Sequence, residues 1–161
     1  MASKRSSGLL LYRRNGVGVE VLLAHPGGPF WVKRDEGAWS LPKGEVDTGE
    51  EELDVARREF HEETGHEAPA NECLALGEVR LKSGKFVVGW ACEGDIDPAT
   101  AVSNTATVEW PPRSGRQITV PEVDRVEWFE PTEARRRLNP AQAVFVDRLL
   151  DRLGATERSA S

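Results

Sequence analysis

Short apolar runs separated by turn residues dominate the first and middle thirds of the chain. Two of them flank Asn15-Gly16, a pair typical of a tight β-hairpin turn. Two others flank Ser83-Gly84 in the same way. The pattern therefore predicts six strands, at Gly8–Arg13, Val17–His25, Cys73–Leu81, Lys85–Glu93, Thr105–Trp110 and Val123–Phe129.

Three segments carry the apolar spacing of helices instead. The first is predicted at Glu50–Thr64, with Thr48 and the following glycine as turn and cap, and with Gly65 as the left-handed stop. A short helix is predicted at Thr132–Leu138. The last one starts from an Asn-Pro cap and spans Asn139–Leu153.

The order of strands, helix, strands and helices predicts an α+β fold in which a mixed β-sheet lies between helices, an α/β/α sandwich. A chain of 161 residues has the length of a single domain that buries a substantial core. We expect this domain at residues 7–154. The Ser-rich, polar ends, residues 1–6 and 155–161, are predicted to be disordered.

Three glutamates share one edge of the first predicted helix. At about 100° per residue, Glu59, Glu62 and Glu63 fall within an arc of roughly 100°, beside the apolar arc that contains Phe60. Arg58 is placed to neutralise and orient one of these carboxylates. Hard oxygen ligands select Mg²⁺ or Mn²⁺, and Mg²⁺ usually shares its shell between a few carboxylates and substrate phosphates. For an acidic run taken alone, a merely solvated helix face is the alternative.

The spacing around these glutamates is more specific than the acidic run itself. The stretch resembles the Nudix box, G-x5-E-x7-R-E-U-x-E-E-x-G-U, in which U is an apolar residue. The last position departs from the pattern, because His66 stands where the box has an apolar residue. The matching positions are Gly44, Glu50, Arg58, Glu59, Phe60, Glu62, Glu63 and Gly65.

The resemblance implies a MutT-like enzyme that cleaves a nucleoside diphosphate linked to another group, using Mg²⁺ or Mn²⁺. Glu59 and Glu63 match the usual metal ligands of these enzymes. Glu62 matches a position that is a ligand in some members and a base candidate in others. Arg58 matches the arginine that orients the glutamates, so Glu62, Glu59 and Arg58 are the predicted catalytic residues.

Further positions follow from the same resemblance. Glu50 matches the residue that braces the loop against the helix, while Gly44 and Gly65 are structural positions of the box. Lys43 matches the residue whose backbone carbonyl joins the metal shell. A later loop commonly adds one more carboxylate about six residues before a tryptophan. Here that distance from Trp128 leads to Glu122.

Four side chains are candidates for contact with substrate. The ammonium of Lys43 could meet a phosphate, and the guanidinium groups of Arg113 and Arg116 suit phosphate oxygens. Solvated side chains are the alternative for all three. Trp31, in a long loop beside Phe30, could stack on a base or could pin that loop to the protein body.

Composition limits the classes of partner and the compartment that can be expected. A net charge of −6 argues against a broad electrostatic grip on nucleic acid. Cys73 and Cys92 have no CxxC spacing, so buried, reduced thiols in a cytoplasmic protein are expected. The longest apolar run near the N-terminus is too short for a signal segment, and no stretch is long enough to span a membrane.

The sequence thus predicts a metal-dependent pyrophosphohydrolase that acts on a nucleoside triphosphate or a dinucleoside polyphosphate. Removal of pyrophosphate from RNA 5′ ends is an alternative activity, and a non-catalytic nucleotide-sensing module is an alternative class. The expected partner is a small-molecule nucleotide, with no membrane and no nucleic acid. A homodimer is compatible with the sequence, which leaves the oligomeric state open.

Overall fold

The computed structural model describes residues 4–16 and 18–160, the last six of them by their backbone alone. Six strands form one mixed sheet in the order β4-β5-β1-β2-β8, with β3 paired to β1, and the two remaining strands pair with each other. Within the sheet β1 runs parallel to β5 and antiparallel to β2. The strands are β1 (Arg5–Asn15), β2 (Gly18–Pro26), β3 (Lys43–Glu45), β4 (Leu74–Arg80), β5 (Phe86–Glu93), β6 (Thr105–Glu109), β7 (Gln117–Pro121) and β8 (Val123–Phe129).

Three α-helices cover the sheet: α1 (Glu52–Thr64), α2 (Pro131–Arg137) and α3 (Val144–Ala160). Successive side chains of β1 point to opposite faces, as a strand requires. Leu9 and Leu11 pack in a cluster with Phe60 of α1. Leu10 belongs to the second cluster, which contains Phe145 of α3. The sheet therefore has a core on each face, and the predicted α/β/α sandwich is confirmed.

Two predicted helix starts are wrong by one or two residues. α1 begins at Glu52 after an N-cap residue that makes no side-chain cap bond, so Thr48 is not its cap. The reason is that Glu50 accepts a hydrogen bond from the Asp47 backbone N–H (2.9 Å), which closes a turn before the helix. α2 begins at Pro131 rather than Thr132, since proline suits the first helical position.

The predicted end of α1 and the predicted start of the last helix have different outcomes. The predicted stop at Gly65 is confirmed, with φ at 75°. The Asn139 side chain does cap a turn, but that turn is the short 3-10 helix Pro140–Gln142, and α3 starts only at Val144.

β3 and β7 were absent from the predicted strands. Lys43–Glu45 pairs with the start of β1. The segment between Arg113 and Glu122, where no strand was predicted, contains β7, which forms a separate hairpin with β6. Both segments are short and lie beside turns, so their apolar pattern alone is weak.

Parts of both chain ends carry regular secondary structure where they can be described. Arg5 and Ser6 belong to β1, since they pair with β3 and β5. The backbone is helical through Ala160. Residues 1–3 and 161 lie outside the described residues, and the domain limits 7–154 stay a prediction.

The expectation of reduced thiols is wrong, because Cys73 and Cys92 form a disulfide. Cys73 directly precedes β4 and Cys92 lies in β5. These strands pair antiparallel with Leu74 opposite Ala91, which brings the two Cα atoms to 4.6 Å. The two cysteines are 19 residues apart in the sequence, so their proximity could not be predicted from it. None of the helices within the described residues combines the length and apolar character that a membrane crossing needs.

Candidate active site

The α1 edge that carries the glutamates packs against β3 so closely that Gly44 has no room for a side chain. A Cβ atom on Gly44 would collide with all three atoms of the Glu59 carboxyl group, the farthest of them at 2.5 Å. The Glu59 side chain is therefore held against the strand backbone. This contact explains why the first position of the motif is glycine.

Glu63 lies one helical turn further and is almost completely buried, with 7% of its surface exposed. Its Oε2 atom accepts a hydrogen bond from the backbone N–H of Lys43 at 3.0 Å. Burial, reinforced by the nearby charge of Glu59, raises the Glu63 pKa from 4.5 to about 9. The Lys43 charge lowers this pKa but does not outweigh burial and Glu59, so the buried carboxylate is only partly compensated.

Glu59 and Glu62 extend the same acidic edge towards solvent. Burial, then the charge of Glu62, raises the pKa of Glu59. The Glu62 side chain is 40% exposed, and its nearest cation is the Arg58 guanidinium, with Nε at 3.9 Å from Oε1. Glu62 is thus the most accessible of the three carboxylates.

Arg58 ties the helix to the loop in front of it. Its Nη1 atom donates to Glu50, which accepts from the Asp47 backbone with its other oxygen. Nη2 of the same arginine lies 3.7 Å from Glu59. Arg58 therefore holds loop and carboxylates in one arrangement, as the resemblance implied for it and for Glu50.

Glu122 reaches the site through a strap at residues 102–104. The backbone N–H of Asn104 donates to the Glu62 carbonyl (2.8 Å), and the Asn104 carbonyl accepts from the Glu122 N–H (2.9 Å). Ser103 Oγ accepts from the N–H of Val123 at 3.1 Å. Glu122 also influences the pKa of Glu63 by its charge, so the predicted fourth carboxylate is close to the others.

One cavity of about 330 Å³ opens beside β3 and α1. Lys43, Glu63 and Glu122 line it together with Trp31, which also packs against the core cluster on the α3 side of the sheet. Burial is the main cause of a lowered pKa at Lys43. Both interpretations of Trp31, pinning the loop and facing the substrate, are compatible with its position.

The two predicted arginines lie elsewhere. Arg113 and Arg116 are exposed at the β6–β7 turn, where Arg113 has a φ of 61°. Neither belongs to the described lining of the cavity. Their contact with phosphate stays a prediction.

The carboxylates fit a divalent cation by chemistry. No three His, Cys, Asp or Glu side chains in the ranges 4–16 and 18–160 stand close enough together to form a finished metal site. A finished site is not needed, because Mg²⁺ completes its shell with water and substrate oxygens. The donors are all oxygens, and a cation would offset the burial and the mutual repulsion that raise the pKa values of Glu59 and Glu63.

Sequence reasoning missed the strap and the apolar hairpin over the cavity. Val108 of β6 and Val120 of β7 form the wall of the cavity on the side of this hairpin. The alternation of Ala106, Val108 and Trp110 with polar residues was a usable signal. The strap acts through the backbone of Asn104 and the hydroxyl of Ser103, and neither stands out in the apolar pattern.

The chain matches the family described as NUDIX domain over residues 3–149. An 8-oxo-(d)GTP phosphatase of Mycolicibacterium smegmatis is 45% identical over 64 residues, covering 37% of this chain and 20% of that protein. An asymmetrical bis(5′-nucleosyl)-tetraphosphatase of Rattus norvegicus is 34% identical over 102 residues, covering 55% and 64%. The chain thus spans less than two thirds of either relative. The binary complex of a C. elegans Ap4A hydrolase is 21% identical, with a TM-score of 0.62 over 94% of this chain and 98% of that one, which shows the shared fold.

Proposed function

The chain belongs to the Nudix family, and on that premise we propose that it is a metal-dependent pyrophosphohydrolase that cleaves a diphosphate linkage in a nucleoside polyphosphate. The observation that carries the proposal is the cavity lined by Glu63, Glu122 and Lys43, with the Glu59 carboxylate packed against Gly44 beside it. Glu63 is a buried carboxylate that the positive charge around it only partly compensates, which is costly for a structural residue and useful for a metal ligand.

Each group at the site has a proposed task. Glu59, Glu63 and Glu122, with the Lys43 carbonyl, would hold Mg²⁺ or Mn²⁺. The bound cation would supply Lewis acidity, drawing charge from the phosphate chain and lowering the pKa of the attacking water.

The remaining steps belong to side chains of the chain itself. Glu62 is the proposed proton acceptor for the water, because it is exposed and only loosely paired with Arg58. The Lys43 ammonium would contact a phosphate oxygen. Arg58 would keep Glu59 in place while these groups act.

Nucleoside polyphosphates are the proposed substrates for two reasons. Both relatives described above are named for nucleotide substrates. The net charge of −6 also favours a small ligand that brings its own cation over RNA.

A substrate panel tests the proposal. The protein would be incubated with nucleoside triphosphates, dinucleoside polyphosphates and a triphosphorylated RNA, with Mg²⁺ or Mn²⁺, in ¹⁸O-labelled water. Mass spectrometry should find the ¹⁸O label in a phosphate product. Hydrolysis should stop in excess EDTA. Glu63→Gln should lose turnover by orders of magnitude, and Glu67→Gln, an exposed carboxylate of the same region, should not. Activity that survives in EDTA or in Glu63→Gln contradicts the proposal.

A further inference from the structure

A second, smaller cleft opens beside the catalytic cavity. It has a volume of about 230 Å³, and its walls include the aromatic rings of Phe30, Trp31 and Trp110. Gly27, Trp31 and Val108 line both spaces. The two therefore form one continuous groove, with acidic groups at one end and aromatic groups at the other.

The roof of this groove is an apolar surface that the fold leaves uncovered. β6 and β7 pair only with each other among the described strands. The inward side chains Val108, Trp110 and Val120 are half-exposed, and neither core cluster contains them. Half-exposed apolar walls around a concavity are typical of ligand sites.

The opposite wall is held in a fixed position. A Cβ atom on Gly27 would collide with the Pro121 carbonyl, so the loop that carries the aromatic residues packs directly on β7. Phe30 stands edge-to-face on Trp31, with ring centroids 4.8 Å apart. The Arg34 guanidinium covers one face of Phe30 at 4.2 Å. The aromatic rings are thus arranged before a ligand arrives.

The charge of the cleft excludes phosphate as its ligand. Glu109 is the one charged residue of the described lining. Its two oxygens accept hydrogen bonds from the backbone N–H groups of Arg113 (3.0 Å) and Gly115 (3.2 Å). A flat, uncharged aromatic group suits such a cleft.

We infer that this cleft binds the nucleobase of the substrate, stacked against Trp110 and Phe30, while the phosphate chain extends towards Glu63. The inference rests on the proposed function for the identity of the ligand. The described walls are made of aromatic rings, glycine, proline and valine, with Glu109 as the one charged side chain. Adenine and guanine nucleotides should therefore bind with similar affinity, and the smaller pyrimidines more weakly.

Adenosine tests the cleft without phosphate, metal or hydrolysis. The protein, ¹⁵N-labelled at its tryptophan indoles, would be titrated with adenosine in EDTA and followed by NMR. We expect saturable shifts of the Trp31 and Trp110 signals and none for Trp39, which is fully buried in the core. Ribose should shift neither. Shifts that spare Trp31 and Trp110 would overturn the inference.

Variants complete the test. Trp110→Ala should weaken adenosine binding by about fivefold to 150-fold, the range of one stacked base, and Trp110→Phe should retain most of it. Val144→Ala, an apolar surface change at the start of α3, should leave binding unaltered. An unchanged affinity in Trp110→Ala refutes the cleft even if the protein hydrolyses nucleotides. Adenosine binding as expected, without hydrolysis of any panel substrate, refutes the proposed function alone.

Discussion

Replacing Gly44 by alanine adds a single methyl group at the point where β3 touches α1. The new Cβ would lie at most 2.5 Å from each Glu59 carboxyl atom, and ordinary contact begins at about 3.4 Å. The nearest carboxyl atom, at 2.1 Å, must therefore retreat by about 1.3 Å. It can do so, because it is the far end of a flexible side chain.

A displacement near 1 Å separates the effects on activity and stability. Misplacing a reacting group by that distance costs roughly 100-fold in rate, so kcat/KM should fall by about that factor. The free energy of unfolding should change by less than about 1 kcal/mol, within the range of tolerated glycine substitutions. Nucleotide hydrolysis with varied Mg²⁺ and urea unfolding in EDTA measure the two quantities.

Two further variants sharpen this test. Gly18→Ala is the matched control, because its nearest neighbour would be the Asn15 carbonyl at 3.8 Å. Glu59→Asp withdraws the carboxylate by about one C–C bond, ~1.5 Å, which vacates the space that the alanine needs. Gly44→Ala should therefore cost far less in the Glu59→Asp background than in the native protein. Equal losses in both backgrounds, or a fully active Gly44→Ala, would refute the contact.

Three other predictions concern stability. Between pH 4.5 and about 9, Glu63 of the metal-free protein keeps its proton in the folded state and loses it in the unfolded state. The free energy of unfolding should therefore fall as pH rises through that window. Thermal melting in EDTA should show this slope, and Glu63→Gln should flatten it. Ser103→Ala leaves the buried N–H of Val123 unpaired and should cost about 1–3 kcal/mol in urea unfolding, whereas a loss below a few tenths would contradict the role of the strap. Cys92→Ser opens a link across 19 residues and should cost about 3 kcal/mol, with no further loss when a reductant is added to the variant.

The sequence predicted that three glutamates share one edge of α1, because spacing along a helix fixes which side chains lie on the same side. Glu59, Glu62 and Glu63 must share a side of α1 once it is helical, and the family resemblance supplied Glu122 from a distant segment. The helix start was missed because the Glu50 side chain is used by the turn before it. Such competition between side chain and backbone is invisible in apolar periodicity.

Contacts between strands were the harder part. The disulfide depends on the register of β4 and β5, which places Cys73 beside Cys92. His66 is a comparable case, since its Nε2 lies 2.8 Å from Thr100 Oγ1 and so finds a polar partner where the motif expects apolar packing. Neither neighbour can be read from local sequence.

The two ends of the β6–β7 hairpin lie side by side, since Thr105 pairs with Pro121 and Asn104 is hydrogen-bonded to Glu122. Residues 105–121 can therefore be exchanged as one cassette without cutting the catalytic helix. If the cleft binds the nucleobase as inferred, insertions or substitutions in this hairpin would alter the ligand preference and leave the carboxylates of α1 in place. For protein engineering, grafting the hairpin of a relative at these two ends is the natural way to change the specificity of this chain.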